Sequence, residues 1–410
     1  MLEKKLQKYA ELAVRVGVNI QPGQTLFINA PLPSAPLVRE IAKKAYEAGA
    51  KHVHVEWSDE EITYIKFKHA PEEALHEYPS WLAKGREEVA EKGGAFLSIY
   101  APNPDLLKDI DPARVAAATK AASIALQHYR SRLMADHNCW SLIAVPTPAW
   151  AKKVFPNMNE DEAIAKLWDV IFQVTRVDQD DPIAAWKTHN EKLARIVDYL
   201  NNKQYKQLIY DGPGTNLTVE LPDGHVWAGG AARSTDGIVF NPNMPTEEVF
   251  TMPHKDGTNG VVRNTKPLNY GGNIIDGFTL TFKDGKVVDF TAEVGYDTLK
   301  HLLDTDEGAR RLGEIALVPH RSPISQSNLV FYNTLFDENA ASHLALGKAY
   351  PTNIEGGTNM RTEELLARGA NDSLVHEDFM IGSHELNVDG VTKDGVREPI
   401  MRNGEWVISI

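Results

Sequence analysis

Apolar residues in roughly the first 190 positions recur in short runs, and amphipathic stretches separate these runs. Four of the runs have the length and residue types of strands: residues 25–30, 52–57, 95–100 and 140–145. Helix-like spacing follows the first run over residues 35–49, where Gly49 predicts the end of the helix. Strands that alternate with helices indicate an α/β fold with a mostly parallel sheet.

The pattern changes after a largely helical stretch over residues 161–202, which is broken near Pro182. Short strand-like runs then alternate with turn-forming pairs, and Asp284-Gly285 between GFTLTFK and KVVDFTAEV predicts a hairpin. A length of 410 residues also suits two domains. We therefore expect an α/β N-terminal domain over residues 1–200 and an α+β C-terminal domain with a mainly antiparallel sheet over residues 201–410.

Composition restricts the classes of binding partner and the residue types that could hold a metal ion. The formal net charge is −13 and no run of Lys or Arg stands out, which argues against nucleic acid or an anionic membrane as a partner. The N-terminus lacks an apolar signal region and no run of about 18 apolar residues occurs, so we expect a cytoplasmic protein. Because Cys139 is the only cysteine, any metal must be held by His, Asp and Glu.

Two segments of the second half place carboxylates next to apolar residues. In NMPTEEVF, Glu247 and Glu248 are adjacent, so at most one of them can face a given site. Thr246 before two acidic residues also fits the start of a capped helix, which is the simpler interpretation. In RLGEIALVPH, Glu314 precedes an apolar run, where a carboxylate is costly unless it is paired or binds a metal. An exposed strand start would explain Glu314 as well.

Two further segments contain histidines. We interpret FDENAASHLALGKAY as helix-like, and there Glu338 and His343 are too far apart in phase to share one helix face closely. In VHEDFMIG, alternation predicts a strand with His376 and Asp378 on one side and Glu377 on the other. An imidazole and a carboxylate that converge suit a divalent cation. A plain His–Asp hydrogen bond remains the alternative.

Motifs of several other catalytic classes are missing from the sequence. It contains neither the GxSxG motif of serine hydrolases nor the HExxH motif of single-zinc peptidases. Glycine-rich nucleotide motifs are also absent. His52 and His54 alternate on a predicted strand, and we interpret them as surface residues because Glu56 is their only obvious acidic neighbour.

Taken in order, four segments resemble the aminopeptidase T/aminopeptidase S family of leucyl-type metallo-aminopeptidases. They are NMPTEEVF, GEIALVP, LFDENAASHLALGKAYP and HEDFMIG, and the resemblance runs over nearly the whole chain. Carried over residue by residue, it implies a set of metal ligands in the C-terminal domain: Glu248, Glu314, Glu338, His343, His376 and Asp378. Tyr350 matches the active-site tyrosine of the family.

The resemblance implies an aminopeptidase with two divalent metal ions, which releases N-terminal amino acids from short peptides. Zinc, cobalt, manganese or magnesium would lower the pKa of a shared water molecule. Glu247 is the candidate general base, and Tyr350 is the candidate hydrogen-bond donor to the oxyanion. Family members are dimers, so a homodimer is expected here.

Two alternatives stay open at this point. A metal-dependent amidase on other small substrates would share the ligands but would not require a free α-amino group. A non-catalytic protein that binds a small ligand would use the same clusters only for structure.

Overall fold

The computed structural model describes residues 2–409, and its N-terminal half contains a four-stranded sheet in the order β2-β1-β3-β4. The strands are β1 Thr25–Pro31, β2 His52–Ser58, β3 Ala95–Tyr100 and β4 Trp140–Ala144. Every pairing in this sheet is parallel. The expected parallel α/β arrangement is therefore confirmed, with strand bounds within about one residue of the predicted ones.

Helices connect and cover these strands, and their beginnings follow local side chains. Asp59, Asp111 and Asp181 each accept a backbone N–H at the start of a helix, and Asn159 with Glu162 forms a capping box. The helices are α1 Leu2–Leu12, which continues into a π-helical turn at Ala13–Gly17, α2 Ala35–Glu47, α3 Glu60–His69, α4 Glu72–Leu75, α5 Ser80–Glu91, α6 Pro112–Ala125, α7 Gln127–Met134, α8 Pro148–Val154, α9 Glu160–Val174 and α10 Pro182–Lys203.

The C-terminal half consists mainly of antiparallel strands with a few short helices. Its strands are β5 Gln207–Gly212, β6 Thr215–Glu220, β7 Ala232–Arg233, β8 Val239–Phe240, β9 Val249–Thr251, β10 Thr258–Arg263, β11 Leu268–Tyr270, β12 Asn273–Ile275, β13 Thr279–Lys283, β14 Lys286–Thr291, β15 Leu312–Leu317, β16 His343–Gly347, β17 His376–Met380, β18 Asn387–Val391, β19 Arg397–Arg402 and β20 Glu405–Trp406. Its helices are α11 Tyr296–Leu303, α12 Pro323–Gln326, α13 Thr334–Asp337 and α14 Thr362–Ala367.

Two sheets dominate this half. An eight-stranded sheet has the order β14-β13-β10-β6-β5-β18-β19-β20, and a four-stranded sheet has the order β17-β16-β15-β9. The predicted hairpin joins β13 to β14, and both turn residues have positive φ, 47° at Asp284 and 78° at Gly285. Positive φ at both positions is what a tight two-residue hairpin turn requires. The expectation of a mainly antiparallel sheet is confirmed.

The two halves share packing and main-chain contacts. The hydrophobic core around the parallel sheet extends to Phe336, whose ring centroid lies 5.6 Å from that of Trp150. Residues 242–244 run beside β4, where Leu142 donates its N–H to Pro242 O at 2.7 Å and accepts from Met244 N at 3.0 Å. This contact brings the segment that carries Glu247 and Glu248 to the edge of the parallel sheet.

The predicted division at residue 200 stays a prediction. Within residues 2–409, no helix is long and apolar enough to cross a membrane.

Candidate metal centre

The sheet β17-β16-β15-β9 gathers the predicted ligands on one face. Glu314 pairs with Ala345, which in turn pairs with Asp378, so these side chains point to the same side of the sheet. His343 and His376 fall on that side by alternation. Because Ala345 is small, the face between the charged side chains stays open, and Glu248 reaches this space from the residue before β9.

Short distances join the imidazoles to the carboxylates. His343 Nε2 lies 3.0 Å from Glu248 Oε2 and 3.7 Å from Glu314 Oε1. His376 Nε2 lies 3.4 Å from the other oxygen of Glu314 and 3.7 Å from Asp378 Oδ2. The ligand atoms form two triads, Glu248–Glu314–His343 and Glu314–His376–Asp378, and within each triad they lie within 4.8 Å of one another. Glu314 belongs to both triads.

Main-chain carbonyls fix the orientation of both imidazoles. His343 Nδ1 lies 3.1 Å from Ala341 O, and His376 Nδ1 lies 2.7 Å from Lys348 O. A carbonyl oxygen only accepts, so each Nδ1 carries the proton and donates it. In the neutral imidazole, the lone pair of Nε2 therefore faces the carboxylates. This outer contact is the one that a metal-binding histidine usually makes.

Burial and neighbouring charges shift the pKa values of the side chains in this cluster. Burial opposes ionisation of Glu314, but the imidazoles of His343 and His376 outweigh it and bring the pKa of Glu314 to about 2. Burial also opposes the charged form of His376, whereas Asp378 and Glu314 raise its pKa to about 9. Burial, followed by the neighbouring carboxylates Asp378 and Glu248, raises the pKa of Glu338 well above its usual range. Negative charge is in excess here.

The donors of this cluster fit divalent cations. Asp378 Oδ1 is buried and forms no hydrogen bond with any residue within 2–409, and Glu248 Oε2 faces the imidazole of His343 at 3.0 Å. A buried carboxylate oxygen without a donor is costly, and a cation removes this cost. Carboxylate and imidazole together suit zinc and other divalent ions of the first transition row.

Glu338 and Tyr350 lie beside the two triads. Glu338 Oε1 accepts hydrogen bonds from Asn243 Nδ2 at 3.2 Å and Asn339 Nδ2 at 3.3 Å. Tyr350 packs edge to face on His376, with ring centroids 4.8 Å apart. Both residues line a cavity of about 520 Å³ that also contains the triads. Asp136 and Trp140 also line it, so the N-terminal half contributes to the cavity.

Glu247 points away from the triads. Arg176 Nη2 donates to Glu247 Oε1 at 2.7 Å, and the same nitrogen lies 3.0 Å from His189 Nδ1. His189 Nε2 donates to Thr246 O at 2.7 Å. The expectation that adjacent Glu247 and Glu248 face different ways is thus confirmed, and Glu247 forms a buried ion pair.

Three local interpretations that the sequence allowed do not hold in the structure. Thr246 does not begin a helix, because the chain after Glu248 pairs as β9 with β15. Glu314 is not at an exposed strand start: it is 4% exposed in a strand whose residues are all buried. The stretch 336–350 is not one helix-like unit. A short helix and a 3-10 turn end at Ala340, and His343 then begins β16 between β15 and β17.

Several residues that support the site were not singled out from the sequence. Asn339 Oδ1 accepts the backbone N–H of Glu247 at 2.7 Å, and Asn243 holds Glu338. Both asparagines lie inside the quoted segments NMPTEEVF and LFDENAASHLALGKAYP, so those segments contained a hint. Arg176 and His189 lie in the helical region far from any ligand motif, and no sequence feature pointed to them.

The fold and the site together define a class of protein. Residues 2–406 match the family described as thermophilic metalloprotease (M29), and the chain belongs to this peptidase family. It is 74% identical to aminopeptidase 2 of Geobacillus stearothermophilus, with 100% of this chain and 99% of the relative covered. It is 55% identical to aminopeptidase AmpS of Bacillus subtilis (strain 168), with 98% of each covered. A solved structure of wild-type AmpT from Thermus thermophilus matches with a TM-score of 0.91, 45% identity and full coverage of both chains.

The chain is therefore a metalloaminopeptidase, a hydrolase that acts on peptide bonds. Membership of a metallopeptidase family implies the use of divalent metal, and the resemblance seen in the four segments is confirmed. The alternative of a non-catalytic binding protein is excluded.

Proposed function

We propose that the protein uses two divalent metal ions to release N-terminal residues from short peptides. The observation that carries this proposal is the pair of triads that share Glu314. Glu248, Glu314 and His343 would hold one ion, and His376 and Asp378 would hold the other together with Glu314. Glu338 is the remaining predicted ligand, at the edge of the same cavity. Bound divalent ions would supply positive charge that acidifies a water molecule and polarises the scissile carbonyl.

Tyr350 is the proposed hydrogen-bond donor to the oxyanion. Burial, reinforced by the nearby carboxylates Glu314 and Asp378, raises the pKa of Tyr350 well above its usual range. The phenol therefore keeps its proton at neutral pH and can donate it in a hydrogen bond. Its contact with the His376 ring fixes its position beside the triads.

Glu247 remains the proposed general base. The residue is 7% exposed and its carboxylate is held by Arg176, so a proton would have to pass between Glu247 and the cavity through a water molecule. The ion pair also gives this carboxylate a structural part in holding the segment before β9. Replacement of Glu247, with turnover and metal content measured on the same sample, distinguishes its catalytic contribution from its structural one.

The substrate class follows from the size and charge of the cavity. A volume of about 520 Å³ accommodates a few residues of an extended peptide. A free α-amino group would bind near one of the ions or near a carboxylate of the wall, which would confine cleavage to the N-terminal bond. The carboxylate and imidazole donors admit zinc, cobalt, manganese or magnesium, because affinity order alone does not decide which ion is bound.

A homodimer in the cytoplasm completes the proposal. Large apolar side chains are exposed in the N-terminal half, with Trp81 at 72%, Ile62 at 68% and Ile65 at 54%, as expected at a surface that a second copy covers. The single buried cysteine, Cys139, suits a reducing compartment. Light scattering after size-exclusion chromatography measures the molar mass, and a monomer would contradict the dimer.

The deciding experiment measures bound metal by mass spectrometry and the hydrolysis of leucine p-nitroanilide before chelation, after chelation and after metal is restored. We expect two ions per chain, loss of hydrolysis on chelation and recovery with at least one of the four metals. The N-acetylated substrate serves as the control, and we expect it to be inert. One ion per chain, or hydrolysis that is indifferent to chelation, would contradict the two-metal proposal. Cleavage of the acetylated substrate would favour an amidase.

A further inference from the structure

A second cavity lies next to the metal centre, on the side of α6 and α7. Its volume is about 350 Å³, and its wall includes His376, Glu377 and Arg130 of α7. A third cavity of about 360 Å³ shares Thr119 with it and shares Asp378 with the cavity of the triads. Neighbouring cavities thus lie between the metal centre and Arg130, and His376 lines each of them.

Arg130 offers an unused positive charge to this space. Its side chain makes one hydrogen bond, from Nη1 to Ser123 Oγ at 3.0 Å, and it takes part in none of the ion pairs among residues 2–409. A guanidinium carries five N–H donors in a planar fork and stays charged at any physiological pH. Most of these donors therefore remain free for a ligand.

The other cation of the cavity is already paired. Lys348 Nζ donates to Asp372 Oδ1 at 2.8 Å and contacts Ser131 Oγ at 3.3 Å. Arg130 is thus the cation that is free to bind an anion. Ser131, Ser373 and Thr119 add hydroxyl groups to the wall, so the surroundings of Arg130 are polar.

Tyr270 is a wall residue of both the second and the third cavity. The charges of Glu377 and Arg130 act on the pKa of its hydroxyl in opposite senses. With the proposed ions bound, the carboxylates of the triads are offset, and Arg130 is the charged group that the neighbouring cavity adds. A short peptide held at the ions by its N-terminal residue carries a carboxylate farther along, which such a cation complements.

We infer that Arg130 is a specificity-determining residue that binds a carboxylate of the peptide substrate in the cavity beside the metal centre. The carboxylate belongs either to the C-terminus of a short peptide or to an acidic side chain, and both offer two oxygens to the guanidinium fork. This inference rests on the proposed aminopeptidase action on short peptides and names the chemistry that selects among them.

Two substrate pairs test the inference on the metal-loaded protein. Leu-Gly-Gly is compared with its C-terminal amide, and glutamate p-nitroanilide with glutamine p-nitroanilide, as ratios of kcat/KM. We expect the wild type to prefer the carboxylate in at least one pair by about 10-fold to 100-fold, which is typical of a hydrogen bond to a charged group. Arg130→Met should abolish that preference, and the pair that responds identifies which carboxylate is bound.

Arg130→Lys should keep part of the preference, because the charge remains but the fork is lost. It also serves as the test if Arg130→Met does not fold. Arg321→Gln is the matched control, since Arg321 has 83% of its side chain exposed and lies outside these cavities. A wild type without a carboxylate preference in either pair, or a preference that Arg130→Met and Arg130→Lys leave unchanged, would overturn the inference. A failure of the proposed function would differ: the wild type would not cleave even leucine p-nitroanilide.

Discussion

The parallel sheet β2-β1-β3-β4 and the antiparallel sheet β17-β16-β15-β9 have equal numbers of strands but bury different side chains. In the parallel sheet, fully buried positions such as Leu26, Ile28 and Leu97 are apolar. In the antiparallel sheet, β15 is buried along its whole length and still contains Glu314. One sheet buries hydrocarbon, which stabilises the fold, and the other also buries charge, which costs stability unless a partner compensates it.

This difference teaches where function is located in the protein. The hydrophobic effect is sufficient to account for a buried apolar side chain, so the buried positions of the parallel sheet need no ligand to stabilise them. Burial of several carboxylates on one face of a sheet does need a compensating ligand. The antiparallel sheet is therefore where substitutions should separate activity from stability, and the parallel sheet is where they should not.

The largest effect is expected from Glu314→Gln. Both triads lose their common ligand, so we expect both ions to be lost and hydrolysis to fall to the level of the metal-free protein, well beyond the roughly 10–100-fold that loss of an outer partner costs. Metal analysis and the leucine p-nitroanilide assay measure this. Asp389→Asn is the control, because Asp389 is also buried but pairs with Arg397 and Arg402 away from the triads. Glu314→Gln protein with full metal content would contradict the shared-ligand assignment.

Glu247→Gln should lower kcat by about 100-fold to 10,000-fold if Glu247 is the general base, with the metal content unchanged. The amide keeps a hydrogen-bond acceptor for Arg176 but cannot take a proton. Steady-state kinetics with metal analysis on the same sample is the measurement. Near-normal turnover together with a lowered melting temperature would leave this carboxylate with a structural part only.

Tyr350→Phe should lower kcat by about 100-fold to 1,000-fold, the usual loss when one donor to an oxyanion is removed. The ring contacts with His376 and Phe250 survive, so folding and metal content should not change. Steady-state kinetics gives kcat, and mass spectrometry gives the metal content. A loss of metal instead would make Tyr350 a ligand.

Leu97→Ala should act on stability alone. Leu97 is fully buried in the core of the parallel sheet, so its truncation should lower the free energy of unfolding by about 2–5 kcal/mol. Denaturant titration measures this, and we expect kcat per folded molecule to stay at the wild-type value. Leu32→Ala, at a position that is 48% exposed, is the matched control and should change stability by less than about 0.5 kcal/mol. A changed metal content in Leu97→Ala would contradict the expectation that substitutions in the parallel sheet affect stability alone.

The fold was predictable where one periodicity dominates. Strands β1 to β4 follow from short apolar runs with strand-like residue types between helical stretches, and the β13–β14 hairpin follows from its turn residues. The stretch around His343 was not predictable, because its run of apolar and small residues fits a helix or a buried strand equally well. Tertiary pairing decides it: β16 fills the gap between β15 and β17, and this lets Glu338 and His343 line one cavity. On a regular helix, the side chains of Glu338 and His343 would have pointed in different directions.

The site shows a similar limit. The alternation of His376 and Asp378 on β17 was readable, because side-chain direction in a strand depends only on sequence position. The four segments suggested which residues belong together only through their resemblance to a family. Arg176 and His189 had no local pattern, since their contacts with Glu247 and Thr246 span more than fifty residues of sequence, 71 and 57 respectively.

The contacts of the two imidazoles with main-chain oxygens determine which substitutions around the site the protein can tolerate. Ala341 and Lys348 each contribute a carbonyl, which every residue type possesses, so substitutions at these positions leave the ring orientation intact as long as the backbone keeps its path. The side chain of Lys348 is then free to serve its ion pair with Asp372 without any trade-off against the site. The tautomer of each histidine is thus encoded in the path of the chain and is insulated from mutation at the residue that supplies the carbonyl.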